Sequence, residues 1–188
     1  GGNAMTVILA SGSPRRRELI RLLFADVEIH PADVSEEAGR YQTPAEYALS
    51  MASRKAQFVS RRFSQPVLGA DTVVSLGARI FGKPAGPAEN IAMLRELSGK
   101  WHAVITAIAL WEKGVVVAED VVTTKVLFAS MNNQEIADYV RSGEGLDKAG
   151  GYGIQGLAGK FVAGIDGCYY NVVGLPVAAV ARLFKAKK

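Results

Sequence analysis

The sequence predicts an α/β protein built on a mixed β-sheet, and three observations carry that expectation. Apolar, strand-like runs alternate along the 188 residues with segments of helical periodicity. Several runs hold neighbouring Val and Ile rather than a strict in-and-out alternation, which suits strands covered on both faces. The long apolar stretch 101–128 reads as a hairpin, which argues against a purely parallel, doubly wound sheet.

The elements follow in order. A first strand is expected over 6–10. SGSPRRREL (residues 11–19) then reads as a tight turn into a helix, with Ser13 as N-cap and Pro14 in the first turn. A second strand is expected over 26–30. Thr43-Pro44-Ala45-Glu46 is a capping box with Pro at the first helical position, and Ala48, Met51, Ala52, Lys55 and Val59 follow at helical spacing. Strands at 66–75 and 78–81 precede a helix from Pro87 through Ile91, Leu94 and Leu97, with Gly99 as its stop. Strands at 101–111 and 114–128 lead to a helix at 133–140 closed by Gly143. Strand pieces are expected within 160–172, and a last helix over 175–184.

Hydrophobic residues make up 49% of the chain and charged residues 21%, an ordinary globular composition. GGNA before Met5 reads as an expression-tag remnant, which leaves 5–188 as a single domain. No signal sequence follows Met5, and no apolar run approaches the roughly 18 residues needed to span a bilayer. The single Cys168 cannot form an internal disulfide, which favours a reduced, cytoplasmic setting. A net charge of +4 permits polyanion binding without demanding it, and Lys185, Lys187 and Lys188 supply three of the positive charges as a solvated tail. His30 and His102 are far apart in sequence, so no His-based metal cluster is expected.

Four stretches carry chemistry that a plain core or surface does not ask for. Arg15, Arg16 and Arg17 crowd a helix N-terminus, where the macrodipole disfavours cations. Either an anion sits there, held by bidentate contacts, or the arginines are merely solvated. The P-loop spacing is absent. In VLGADTVV (67–74), Asp71 and Thr72 interrupt an apolar strand. They either face a cleft, where the carboxylate binds Mg²⁺ or orients a water, or make structural hydrogen bonds. FGKPAG (81–86) holds Lys83 in a turn that is a cation site or a simple surface turn. LDKAGGYGIQG (146–156) is a ligand-approaching loop or a flexible surface loop. In the first case Gln155 reads a base edge and Tyr152 packs on a ring. No GxSxG elbow is present, and Ser11 and Ser13 lack an evident His partner. These residues together point to a phosphate-rich ligand.

LASGSPRRREL, SRKA (53–56), LGADTVV, FGKP, LSGKWHAVITAIAL, LDKAGGYGIQG and NVVGLP, in this order, resemble the Maf family of nucleoside triphosphate pyrophosphatases over nearly the whole chain. The resemblance implies an inosine-triphosphatase-like fold: a bent mixed sheet with flanking helices and two lobes around a cleft. It implies Mg²⁺- or Mn²⁺-dependent hydrolysis of a nucleoside triphosphate to monophosphate and pyrophosphate. It also brings an association with inhibition of septum formation, a cytoplasmic setting and a possible homodimer.

Within the family, Ser13-Pro14-Arg15-Arg16, Asp71-Thr72 and Gly153-Ile154-Gln155-Gly156 resemble the dTTP/UTP subgroup. The 7-methyl-GTP subgroup typically has Trp, Gln and Glu at the corresponding variable positions. The family pattern implies Asp71 as the catalytic carboxylate, and Glu36 as its partner at the metal, with neighbouring Glu37 as the alternative. It implies Ser11, Arg16, Lys55 and Lys83 at the phosphates, and Arg15, Thr72 and Gln155 in substrate selection. Arg17 has no implied role and is expected to be exposed. Modified pyrimidine nucleotides are possible further substrates, and two competing readings are a house-cleaning pyrophosphatase for modified nucleotides, with dTTP and UTP as accidental substrates, and a division-linked binding protein acting through a partner or nucleic acid. No aromatic stacking array or helix-turn-helix signature supports nucleic-acid binding.

Overall fold

The computed structural model describes residues 4–35, 41 and 43–187. Glu36 and Glu37 lie outside them. The elements run β1 (Val7–Leu9), α1 (Pro14–Ile20), β2 (Val27–Ile29), α2 (Pro44–Ser60), β3 (Val67–Leu76), β4 (Arg79–Phe81), α3 (Pro87–Leu97), β5 (Trp101–Glu112), β6 (Val115–Phe128), α4 (Asn133–Arg141), β7 (Val162–Asp166), α5 (Tyr169–Val173) and α6 (Val177–Lys185). Short 3₁₀ turns occupy Ala149–Gly151 and Leu157–Phe161.

The seven strands form one mixed sheet in the order β2-β1-β3-β5-β6-β7, with β4 paired to β3. β1 is parallel to both β2 and β3, whereas β3/β4 and β6/β7 are antiparallel. β5 and β6 are joined through Lys113 and Gly114, both at positive φ (49° and 78°), the backbone of a tight hairpin turn. The α/β class with a mixed sheet is therefore as the sequence predicts. Among the described residues no helix is long and apolar enough to cross a membrane.

The chain divides into two compact units. The first comprises Gly1–Asp71, Thr106–Val122 and Gly174–Lys188, and the second Thr72–Ile105 and Thr123–Val173. In the first, β1 is buried along its whole length, as a parallel core strand must be. α2 starts where its capping box requires: Thr43 Oγ1 accepts the Glu46 N–H at 3.1 Å, and Pro44 fills the first turn. Its buried side is narrow, with Ala48, Ala52 and Ala56 alternating with Met51 and Val59. That narrowness lets the helix backbone approach β3 at Gly69. A Cβ there would overlap the Ala52 carbonyl and lie 2.9 Å from the Ala56 Cβ.

In the second unit, Phe81, Leu94, Leu97, Val126, Phe128, Ile136, Tyr139 and Phe161 form one apolar core. His102 lies inside it, 3% exposed, stacked edge-on against Phe128 with centroids 4.8 Å apart. Its Nε2 is 2.6 Å from the Tyr152 hydroxyl. Tyr152 is buried and packs on Phe128, so its ring belongs to the core, and of the two readings open from the sequence neither a ring offered to a ligand nor a flexible surface loop describes it. A second correction concerns 160–172. Only Val162–Asp166 is a strand, and Tyr169–Val173 is helical. Gly167 at φ 127° ends the strand. Buried Asn171 donates to the Val104 carbonyl and to Thr124 Oγ1, both at 3.0 Å, and these contacts override the β-propensity of Tyr-Tyr and Val-Val.

Two outcomes follow. Gly69→Ala forces α2 away from β3 and lowers stability by about 1–3 kcal/mol, read as a fall in Tm; an unchanged Tm contradicts the close approach. Burial lowers the His102 pKa from 6.5 to about 4. The neutral ring is thus favoured by the folded state, and its contribution is complete above pH 6.5 and lost as pH falls toward 4. Stability falls by up to about 3 kcal/mol across that window, and His102→Gln flattens the dependence of Tm on pH there.

Candidate active site

Four of the residues singled out by the sequence come together in the first unit. β3 is buried at Val67–Ala70, opens at Asp71 and Thr72, and is buried again at Val73. Side chains alternate faces along a strand, so Asp71 shares the face of Gly69, the one turned toward α2. Lys55 lies on α2 between Ala52 and Ala56, which pack on Gly69. It therefore reaches the same spot, and its Nζ donates to Asp71 Oδ1 at 2.9 Å and to the Ala70 carbonyl at 3.5 Å. Both partners are largely withdrawn from water, with side chains 19% and 15% exposed, so the pair is screened far less than a surface pair.

The turn after β1 supplies the rest. Ser11 is buried, and its Oγ accepts the Ser13 N–H at 3.3 Å and an Arg16 Nη1 proton at 3.2 Å. Ser13 caps α1 by accepting the Arg16 N–H. The Arg16 guanidinium is anchored at its other edge, where Nε donates to the Gly174 carbonyl at 2.8 Å. Burial lowers the Arg16 pKa from its ordinary value; the Asp71 carboxylate opposes that shift and Arg15 adds to it. An arginine stays protonated regardless, so Arg16 is a fixed cation held near Asp71. α1 is only seven residues long, so side chains rather than a helix dipole define this site. Arg15 is half-buried, and Arg17 is exposed as expected.

The remaining residues are placed separately. Thr72 follows Asp71 on β3 and points to the opposite face. Lys83 and Gln155 belong to the second unit and are exposed. The turn carrying Lys83 is tied to the glycine-rich stretch, because the Gly150 N–H donates to the Gly82 carbonyl at 3.1 Å. Glu36, like Glu37, is outside the described residues. Among the described residues no group of three His, Cys, Asp or Glu side chains is arranged to hold a metal ion. Asp71 alone is still compatible with Mg²⁺ or Mn²⁺, because Mg²⁺ takes one or two carboxylates and completes its shell with water and substrate phosphates.

Sequence reasoning missed Gly174, whose carbonyl orients Arg16. Its place in NVVGLP was visible, but nothing local shows that a backbone oxygen there faces a residue 158 positions away. The chemistry of the cluster is plain: one carboxylate that can accept a proton, beside a rigid and a flexible cation that can hold anionic oxygens.

Known proteins resemble this chain over most of its length. A curated dTTP/UTP pyrophosphatase of Bacillus mycoides (strain KBAB4) is 48% identical over 184 residues, covering 95% of this chain and 94% of that protein. One of Koribacter versatilis (strain Ellin345) is 43% identical over 182 residues, covering 96% and 94%. Among solved structures, a HAM1 protein from Coxiella burnetii matches with a TM-score of 0.46 at 21% identity, over 68% of this chain and 74% of that one. The family model for Maf-like protein matches residues 6–187. On that match and those identities, the chain that brings Ser11, Arg16, Lys55 and Asp71 together belongs to the Maf-like protein family.

Proposed function

We propose that the protein is a nucleoside triphosphate pyrophosphatase that hydrolyses dTTP and UTP to the monophosphate and pyrophosphate, with residues 5–188 acting as one domain. The observation that carries this is the Lys55–Asp71 pair beside the anchored Arg16: a proton acceptor set among cations in a site mostly withdrawn from water. The relatives named dTTP/UTP pyrophosphatase support the substrate class.

Hydrolysis between the α- and β-phosphates requires a water to attack the α-phosphorus, lose a proton and expel pyrophosphate. Asp71 accepts or orients that proton. Without substrate its Oδ1 is engaged by Lys55. An arriving triphosphate competes for the Lys55 ammonium and draws it off the carboxylate, which leaves Asp71 available for the water. Arg16, held by Ser11 and Gly174, does not move to do its part; it presents donors to phosphate oxygens and stabilises charge on the leaving group. A divalent cation held by Asp71, with Glu36 or Glu37 as the further oxygen donor, would polarise the phosphoryl oxygen and lower the pKa of the attacking water. Lys83 is assigned to the phosphates, and Arg15, Thr72 and Gln155 to the choice of base, on the family pattern.

Asp71→Asn lowers pyrophosphate release from dTTP by roughly 10²–10⁴-fold while Tm is kept. Because the substitution removes the negative charge opposing the phosphates, dTTP binds the variant as tightly as the wild type or tighter in calorimetry without divalent cation. Near-normal turnover would remove Asp71 from the mechanism. The three arginines separate by role. Arg16→Ala cripples turnover of every nucleotide, Arg15→Ala alters the ranking of substrates, and Arg17→Ala leaves both unchanged. Equal effects across a panel of canonical and modified triphosphates contradict this division.

A further inference from the structure

One network in the second unit has no task in the reading above. Tyr139 lies in the last turn of α4, and Glu144 in the turn that follows. Glu144 Oε1 accepts the Tyr139 O–H at 3.0 Å, and Oε2 accepts the Leu157 N–H at 3.0 Å. The Tyr139 oxygen in turn accepts the Gly153 N–H at 3.1 Å. One carboxylate thus ties both ends of the segment 153–157, directly at Leu157 and through a single hydroxyl at Gly153. Gln155 stands between them with its side chain exposed.

The fit is tight. A Cβ on Gly156 would lie 2.6 Å from Glu144 Oε1, and one on Gly153 would lie 2.7 Å from the Lys148 Cε. Lys148 Nζ donates to the Glu144 carbonyl at 2.6 Å and to Asp147 Oδ1 at 2.8 Å, which fastens the same turn from its other side. The charge of Lys148 is spent inside the turn.

We propose that Glu144, acting through Tyr139, is a positioning residue for substrate selection: it clamps the 153–157 loop so that the Gln155 amide meets the nucleobase in one orientation. The proposal rests on the reading of Gln155 as the base-recognising side chain. An amide offers an acceptor at one end and donors at the other. On a loose loop it can turn to satisfy either an oxo or an amino edge, and it discriminates between them only when its backbone is held. A carboxylate suits the clamp because both of its oxygens accept, and hydrogen bonds to it are charge-assisted. A glutamine in its place can accept with one atom only, so one end of the loop is released.

The test is kcat and KM for dTTP, UTP and CTP with the wild-type protein, Glu144→Gln, Tyr139→Phe and Gln155→Ala, with Tm measured alongside. Tyr139→Phe keeps the ring in the core and removes only the hydroxyl, so it decides the matter if Glu144→Gln fails to fold. The expected result is a loss of about tenfold in the preference for dTTP and UTP over CTP in both clamp variants, carried mainly by KM with kcat little changed. The proposal is overturned if the folded clamp variants keep the wild-type preference while Gln155→Ala loses it. It is also overturned if they lose kcat equally on all three nucleotides, the mark of a purely structural role. If Gln155→Ala itself keeps the preference, the reading of Gln155 has failed and the clamp has nothing to position.

Discussion

Gly69 has no side chain, and the backbone of α2 occupies the space where one would be. The position of Lys55 follows from that contact. Ala52 and Ala56 set the helix against β3 in both distance and rotation, and the residue between them on the same side meets Asp71, two positions along the strand from Gly69. Helix register matters as much as distance. One residue of slip turns a helix by about 100° and would swing Lys55 away from the strand. The capping box prevents that by starting the helix at a defined residue. The Lys55–Asp71 pair, made by one helix and one strand, therefore depends on a glycine and a threonine that take no part in its chemistry.

The two cations beside Asp71 are held in different ways. Arg16 has both edges of its guanidinium engaged, by Ser11 and by the Gly174 carbonyl, and a protonated arginine cannot relieve its burial by losing the proton. It is a permanent, oriented charge. Lys55 is a single ammonium on a flexible stem, and its partner is the carboxylate itself. The first arrangement suits a phosphate that must be placed, and the second suits a contact that must exchange. Among the described residues, Arg16 and Lys55 act on the one carboxylate of Asp71, so the local balance is positive until an anion arrives. The arginine-rich start of α1 is unfavourable by itself and becomes reasonable beside a triphosphate.

The α/β class, the strand positions as far as Phe128 and the start of α2 were legible because each rests on local rules: apolar runs, capping and turn residues. Asp71 was legible as a polar interruption in an apolar strand, and Lys55 through the family pattern. Their contact was not, because it comes from pairing a strand face with a helix face, which no local window contains. Tyr169–Val173 was misread for the same reason. Its Tyr and Val favour a strand, and the buried hydrogen bonds of Asn171 decide for a helix. Tyr152, among glycines, was open to being a ring offered to a ligand or part of a flexible surface loop, and it is neither. Its burial against Phe128 and His102 depends on partners 24 and 50 residues away in the chain.

Glycine content misleads in one further respect. A run such as LDKAGGYGIQG reads as a flexible loop, because glycine costs the most conformational entropy to order. Here, however, a side chain at Gly150 would strike Val74, one at Gly151 would strike Asn90, and those at Gly153 and Gly156 would strike Lys148 and Glu144. The glycines are present because other atoms already fill the space, and the backbone they leave is pinned by hydrogen bonds at Gly150, Gly153 and Leu157. The same composition that allows a loop to move also allows it to be packed on closely, and only the atoms around it distinguish the two. A loop packed in this way can carry an exposed amide with a defined direction, which a mobile loop cannot.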